Sequence, residues 1–165
     1  MKIAFIQTGG TIDKDYPKSE KGWAFEIDEP AYLRILKKLN PSFEYSSVLG
    51  LKKDSTEITQ SDRQKLFDLC KSIGYHRIII THGTDTLLET ATFLQKISGK
   101  VIVLTGAMRP ERFTNSDASI NLGIAIGAVQ VLTEGVYIAM HGLVLPWQEV
   151  SRDEDTRKFI KKSVL

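Results

Sequence analysis

Five short runs of mostly apolar residues recur along the chain, and segments of helical pattern separate them. KIAFIQT (2–8), YSSVLGL (45–51), RIIIT (77–81), KVIVLT (100–105) and VYIAM (136–140) have the length and β-branched content of strands. Several are apolar almost throughout, a pattern that fits strands covered on both faces. Between them, EPAYLRILKKLN (29–40) puts Pro30 at a helix start and Leu33, Leu36 and Leu39 near helical spacing. Ser61 and Gln64 resemble a capping box that opens a helix through Ile73, closed by Gly74. TDTLLETATFLQKIS (84–98) reads as a third helix ended by Gly99, and SDASINLGIAIGAVQVLT (116–133) as a fourth with Ser116 as its cap. The charged stretch after Arg152 is expected to be a solvated terminal helix or a frayed tail.

Such alternation predicts an α/β fold: three layers around a mostly parallel sheet of about five strands, flavodoxin- or Rossmann-like, with the site at the carboxyl ends of the strands. At 165 residues, 42% of them hydrophobic and 25% charged, the chain is expected to form a single domain spanning 1–165. A net charge of +2 gives no reason to expect a nucleic-acid or membrane partner. Cys70 stands alone, which excludes an internal disulfide and suits a reducing compartment. Its neighbours Leu66, Phe67, Leu69 and Ile73 mark it as a buried helix residue rather than a nucleophile. MKIAFIQTGG is too short an apolar run for a secretory signal or a membrane span, so a cytoplasmic location is expected.

The ends of the strands carry an unusual set of residues. They are Thr8-Gly9-Gly10-Thr11, Asp54-Ser55-Thr56, Thr81-His82-Gly83-Thr84-Asp85-Thr86, Thr105-Gly106-Ala107-Met108-Arg109-Pro110 and His141-Gly142. Hydroxyls and glycines gathered on one edge fit a small polar ligand held by backbone amides and hydroxyls. The glycine fingerprints of dinucleotide and nucleoside-triphosphate sites are missing, and the acids Asp13 and Asp15 beside Gly9-Gly10 would repel a phosphate. His76, His82 and His141 are scattered, without the paired spacing of metal ligands. Thr11 follows two glycines that allow close backbone approach, and a threonine hydroxyl can accept an acyl group where donors stabilise the oxyanion. Thr84-Asp85 is read as the start of a helix, where free N–H groups favour negative charge; a plain N-cap is the alternative there.

These residues resemble the bacterial-type L-asparaginase (asparaginase/glutaminase) family. TGGTI (8–12) is similar to its first signature and THGTDTLLETA (81–91) to its second; VLTGAMRP (103–110) with SDASINL (116–122), and Asp54-Ser55, match further stretches in the right order. The resemblance implies a cofactor-free, metal-free amidohydrolase acting on a small amide, L-asparagine or possibly L-glutamine, to give the acid and ammonia. It assigns the nucleophile to Thr11 and gives Thr84 the role of positioning water or serving as a second nucleophile. Asp85 would bind the substrate α-amino group. Ser55 would hold the α-carboxylate with Thr56 beside it, and the Gly10 and Gly83 backbone would line the substrate. A zwitterionic ligand would also explain Asp13 and Asp15. A loop tyrosine activates the threonine in the family; Tyr16 is the candidate here, with Trp23 a later aromatic in the same loop that has no acid–base group.

Three features depart from the family pattern, the first being that Tyr16 follows Thr11 by only five residues. Arg152 stands where the family has a lysine paired with the second-motif threonine, and arginine does not give up its proton near neutral pH. It either serves the site as a fixed cation or is a surface residue. The family's smaller C-terminal domain is expected to be absent, so another copy completes the site or substrate selectivity is looser. Homo-oligomers, dimers or higher, are the implied assembly. The competing reading is a non-catalytic module that binds an amino acid or regulates a partner.

Overall fold

Successive residues of the first strand point to opposite faces. In β1 (Lys2–Gly9), Ile3 and Phe5 join one hydrophobic cluster, Ala4 and Ile6 the other, and none of the four has any exposed surface. The same alternation continues through β5 (Arg77–Thr81), β6 (Val101–Thr105) and β7 (Gly135–Met140), so this sheet needs cover on both sides. Helices α1 (Ala31–Leu39) and α4 (Ala118–Val131) cover the face of Ile3 and Phe5; α2 (Gln60–Ser72) and α3 (Leu87–Leu94) cover the face of Ala4 and Ile6. The computed structural model describes residues 1–18 and 25–163. Among them no helix is long and apolar enough to cross a membrane.

The main sheet has six strands in the order β4-β1-β5-β6-β7-β8, with β4 at Glu44–Lys53 and β8 at Leu143–Pro146, while β2 (Lys14–Asp15) and β3 (Glu26–Ile27) pair with each other outside it. Its first five strands are parallel, as expected; β8 turns back and pairs antiparallel with β7. Gln7, Thr81, Thr105 and Ala139 stand in one row across β1, β5, β6 and β7, so the turns that follow start from a common edge. The threonines along that edge fasten it. Thr8 Oγ1 donates to the Thr81 carbonyl at 2.8 Å and Thr105 Oγ1 to the Ala139 carbonyl at 2.8 Å. These buried hydroxyls are committed to backbone and do not face a ligand.

Several local expectations are corrected. The capping box of α2 is Thr59 with Asp62, not Ser61 with Gln64: Asp62 accepts from the Thr59 amide at 3.0 Å, and Thr59 Oγ1 accepts from the Asp62 amide at 3.2 Å. In α1 the buried face is Ala31, Tyr32, Ile35 and Leu36, while Leu39 is exposed. Helix α3 starts at Leu87, leaving Thr84 and Asp85 in the preceding turn. Ser116 lies before the N-cap of α4, Asp117, though its hydroxyl does accept from the Ala118 amide at 3.1 Å. The segment after Arg152 is a β-hairpin, β9 (Val150–Arg152) with β10 (Phe159–Lys161), rather than a helix or a frayed tail. Burial of Val150 and Phe159 against the α2–α3 side outweighs the charges around them. Cys70 is buried, and burial pushes its thiol up to about 12.

Asp13 is fully buried. Its Oδ1 accepts from the Ala31 amide at 2.7 Å, at the first residue of α1, and its Oδ2 from Gln7 Nε2 at 3.1 Å. Asp15 pairs with Arg112 at 2.7 Å. Both acids beside the glycine turn therefore serve the framework, which corrects their assignment to a substrate amine. Burial pushes the Asp13 carboxyl up to about 6, against those two hydrogen bonds. A carboxyl higher in the folded than in the unfolded chain costs nothing below about pH 4 and its full cost above about pH 6. Asp13→Asn should therefore gain stability relative to wild type as pH rises from about 4 to 6, by up to about 3 kcal/mol. Urea unfolding of both proteins across that range checks this; a difference that does not change with pH would refute it.

Candidate active site

Strand β1 lies between β4 and β5, so the chain leaves it toward one edge of the sheet and later returns on its other side. In open α/β sheets ligands bind at such a reversal, beyond the carboxyl ends. Gly10 sits there with a φ of 84°, and a Cβ on it would overlap the Gly83 Cα and amide nitrogen. A Cβ on Gly83 would in turn lie 2.6 Å from the Ser55 Cβ and Oγ. The turns after β1, β4 and β5 thus touch through two glycines and a serine. Gly10 N donates to the Lys53 carbonyl at 3.1 Å, and Thr86 Oγ1 donates to the Ser55 carbonyl at 2.7 Å, which fixes all three turns. Thr11, which opens a single 3-10 turn (Thr11–Asp13), and Thr84 are the residues following the two glycines.

The Gly83 peptide is held from behind by His82, which is completely buried. Its Nδ1 lies 2.7 Å from the Gly83 carbonyl, an acceptor only, so Nδ1 carries the proton. Nε2 then accepts from Thr90 Oγ1 at 2.9 Å, and Thr90 Oγ1 accepts from Arg63 Nε at 3.2 Å. Arg63 also donates to the Ile58 carbonyl at 3.0 Å and pairs with Glu89 at 2.9 Å. Burial pushes the imidazole down to about 4, so it is neutral at pH 7 and acts as a fixed strut. His76 is exposed beside β5 with Nδ1 2.6 Å from the Gly99 carbonyl, and His141 Nδ1 accepts from the Phe159 amide at 3.1 Å. Among the described residues no group of three or more His, Cys, Asp or Glu is arranged to hold a metal ion.

Arg152 reaches Thr84 from the β9–β10 hairpin. Its Nη2 lies 3.5 Å from Thr84 Oγ1, and Nη1 donates to the Thr84 carbonyl at 3.2 Å and to Asp85 Oδ1 at 2.7 Å. Only 17% of its side chain is exposed, and the guanidinium sits 5.8 Å from the centre of the Phe159 ring. It is part of this constellation and not a bare surface residue. Arg157 adds a second guanidinium, 2.8 Å from the same Asp85 oxygen. The two arginines, Asp85, Asp153 and Glu154 line a pocket of about 380 Å³.

The family model for the asparaginase N-terminal region matches residues 2–159. This chain belongs to the asparaginase family. It is 33% identical over 162 residues to the L-asparaginase of Thermococcus kodakarensis, covering 92% of this chain and 48% of that protein. It is 41% identical over 147 residues to a glutamyl-tRNA(Gln) amidotransferase subunit from Methanococcus maripaludis, covering 85% of this chain and 35% of that one. The solved structure of the thermostable T. kodakarensis L-asparaginase superposes with a TM-score of 0.82 at 28% identity, over 98% of this chain and 51% of the other. The chain thus spans about half the length of the curated asparaginases it matches.

Other asparaginase-like stretches find structural roles here. In the third motif, Asp117 accepts from the Met108 amide at 3.0 Å and the Arg109 amide at 3.1 Å. Asn121 donates to the Gly106 carbonyl at 3.1 Å and accepts from the His141 amide at 3.2 Å, joining the turns after β6 and β7. Ser55 is buried, whereas Thr56 is exposed and donates from N (3.1 Å) and Oγ1 (3.0 Å) to Asp54, which pairs with Lys14 at 2.6 Å. The Lys14 hydrogen bond holds the Asp54 carboxyl below its ordinary range. Tyr16 is 68% exposed and packs against Phe25 and Phe113, each 5.4 Å away between ring centres. Trp23 lies outside the described residues. Gly10→Ala should lower stability by at least about 2 kcal/mol, because it imposes both a strained φ and the overlap with Gly83. An unchanged urea midpoint would contradict the contact.

Proposed function

We propose that the chain is an asparaginase-like amidohydrolase that releases ammonia from a small amide, L-asparagine or L-glutamine. The observation that carries this is the contact of Gly10 with Gly83, which brings the Thr11 and Thr84 turns together beside Ser55 at the reversal point of the sheet. In this reading Thr11 Oγ adds to the amide carbon, the C–N bond breaks, and ammonia departs with the hydroxyl proton. Water then splits the resulting ester, giving the carboxylate and restoring the Thr11 hydroxyl. Thr84 positions that water or serves as a second nucleophile. Arg152, always protonated, orients Thr84 and balances developing negative charge and is not the base. Tyr16, packed against Phe25 and Phe113, is assigned the proton transfer at Thr11.

Ser55, with the Gly10 and Gly83 backbone and Thr56 beside it, is proposed to hold the substrate carboxylate, and Asp85 the α-amino group. The scheme uses no cofactor or metal. We also propose a homo-oligomer and a reducing, cytoplasmic setting, consistent with the lone buried thiol. A second reading, a module that binds an amino acid or regulates a partner without turnover, is favoured by the two arginines that already occupy Asp85.

Incubating the purified protein with asparagine, glutamine and related amides decides between these. Wild type should release ammonia, and Thr11→Ala should lose at least about 10³-fold of that activity with an unchanged melting temperature. No release from any amide, combined with saturable binding of aspartate, would establish the binding module instead.

A further inference from the structure

Asp85 is the residue assigned to a substrate ammonium, yet its Oδ1 already receives two guanidinium donors, Arg152 at 2.7 Å and Arg157 at 2.8 Å. The two arginines are held differently. Arg152 is mostly buried and is tied to Thr84 and the Phe159 ring. Arg157 is 58% exposed and leans over Asp85 from the hairpin turn. That turn is well braced. Asp153 accepts from the Thr156 amide at 2.7 Å and from Thr156 Oγ1 at 2.5 Å, and its own amide donates to the Lys158 carbonyl at 2.8 Å. Arg152 Nε donates to the Arg157 carbonyl at 3.3 Å. Arg157 itself has a φ of 60°, a left-handed conformation that disfavours most side chains. The hairpin thus holds that strained residue where its side chain meets Asp85.

We infer that Arg157 is a specificity-determining residue: it occupies the place of a substrate ammonium on Asp85, so the pocket prefers small amides that carry a carboxylate and no α-amino group, of the succinamate kind, over α-amino acid amides. This rests on the assignment of Asp85 proposed above. Two guanidinium groups already compensate the Asp85 carboxylate, so an ammonium gains less there than at an unpaired carboxylate, and a neutral methylene loses nothing. Of the other acids lining the pocket, Asp153 is turned onto Thr156 and Glu154 is exposed at the turn. An α-ammonium that takes Asp85 Oδ1 must displace Arg157 and break a charge-assisted hydrogen bond, and one that approaches the other oxygen shares a carboxylate already held by two guanidinium groups.

The test is equilibrium binding, so it does not depend on turnover. Calorimetry at pH 7 compares succinate with L-aspartate on wild type, Arg157→Ala and Arg157→Gln, the second variant keeping much of the side-chain volume. Wild type should bind succinate more tightly. Both variants should shift the ratio of affinities toward aspartate by about five- to tenfold, the size expected for one charge-assisted contact in a half-exposed pocket. Equal ratios in the three proteins, tighter aspartate than succinate binding by wild type, or no binding of either ligand would each overturn the inference. Ammonia release from asparagine with an unchanged binding ratio would leave the amidohydrolase reading standing and remove this one. A shifted ratio without turnover of any amide would do the reverse.

Discussion

The contact between Gly10 and Gly83 is the constraint on which the site depends. The turns after β1 and β5 approach so closely that nothing bulkier than hydrogen fits between their backbones at Gly10. Ser55 completes the arrangement from the third turn, its side chain against the Gly83 Cα. The side chains proposed for catalysis and substrate binding are then chain neighbours of these glycines: Thr11 after Gly10, Thr84 and Asp85 after Gly83. The framework behind them is polar and paired. A neutral imidazole, a threonine hydroxyl and a guanidinium form one line from α2 to the Gly83 carbonyl.

The asparaginase-like arrangement also shows how the charges are divided. Asp13 and Asp62 are used up on helix starts, Asp54 on Lys14 and Asp15 on Arg112. Asp85 is the acid of the signature stretches whose partners, Arg152 and Arg157, come from a hairpin far along the chain. This chain is related both to L-asparaginases and to a component of an amidotransferase, and a shared frame does not by itself fix what such a domain does.

The sheet was largely legible because its strands are buried on both faces, and runs such as RIIIT and KVIVLT have no other stable use. Strand β8 escaped notice: LVLP is short, half-buried and at the sheet edge, so its composition carries little signal. The hairpin escaped for a different reason. Its turn is charged and only Val150 and Phe159 anchor it, and cross-strand pairing is decided by partners that sequence spacing does not reveal. The misplaced capping box has a similar origin. Thr59 and Asp62 have the same spacing as Ser61 and Gln64, and only tertiary contacts, including Lys53 on Asp62 at 2.8 Å, select the first pair. Within the site, Thr11, Ser55 and Thr84-Asp85 stood out through their glycine and hydroxyl setting. Arg152 is marked in the sequence only by standing where the family has a lysine, and its contacts with Thr84 and Asp85 need the fold; Arg157 leaves no signal apart from its place in a charged run.

The completely covered strands have a consequence for how such a domain diversifies. Ile3 to Ile6, Ile78 to Ile80 and Val101 to Leu104 touch other side chains on both faces, so almost any exchange there is felt as a packing defect. The hairpin, by contrast, hangs from two three-residue strands and exposes most of its turn. Among the described residues, this solvent-facing turn is therefore open to exchange at its exposed positions, and it carries the Arg157 that meets Asp85. Exchanging a few solvent-facing positions there changes the charge that faces Asp85 while the interior stays as it is.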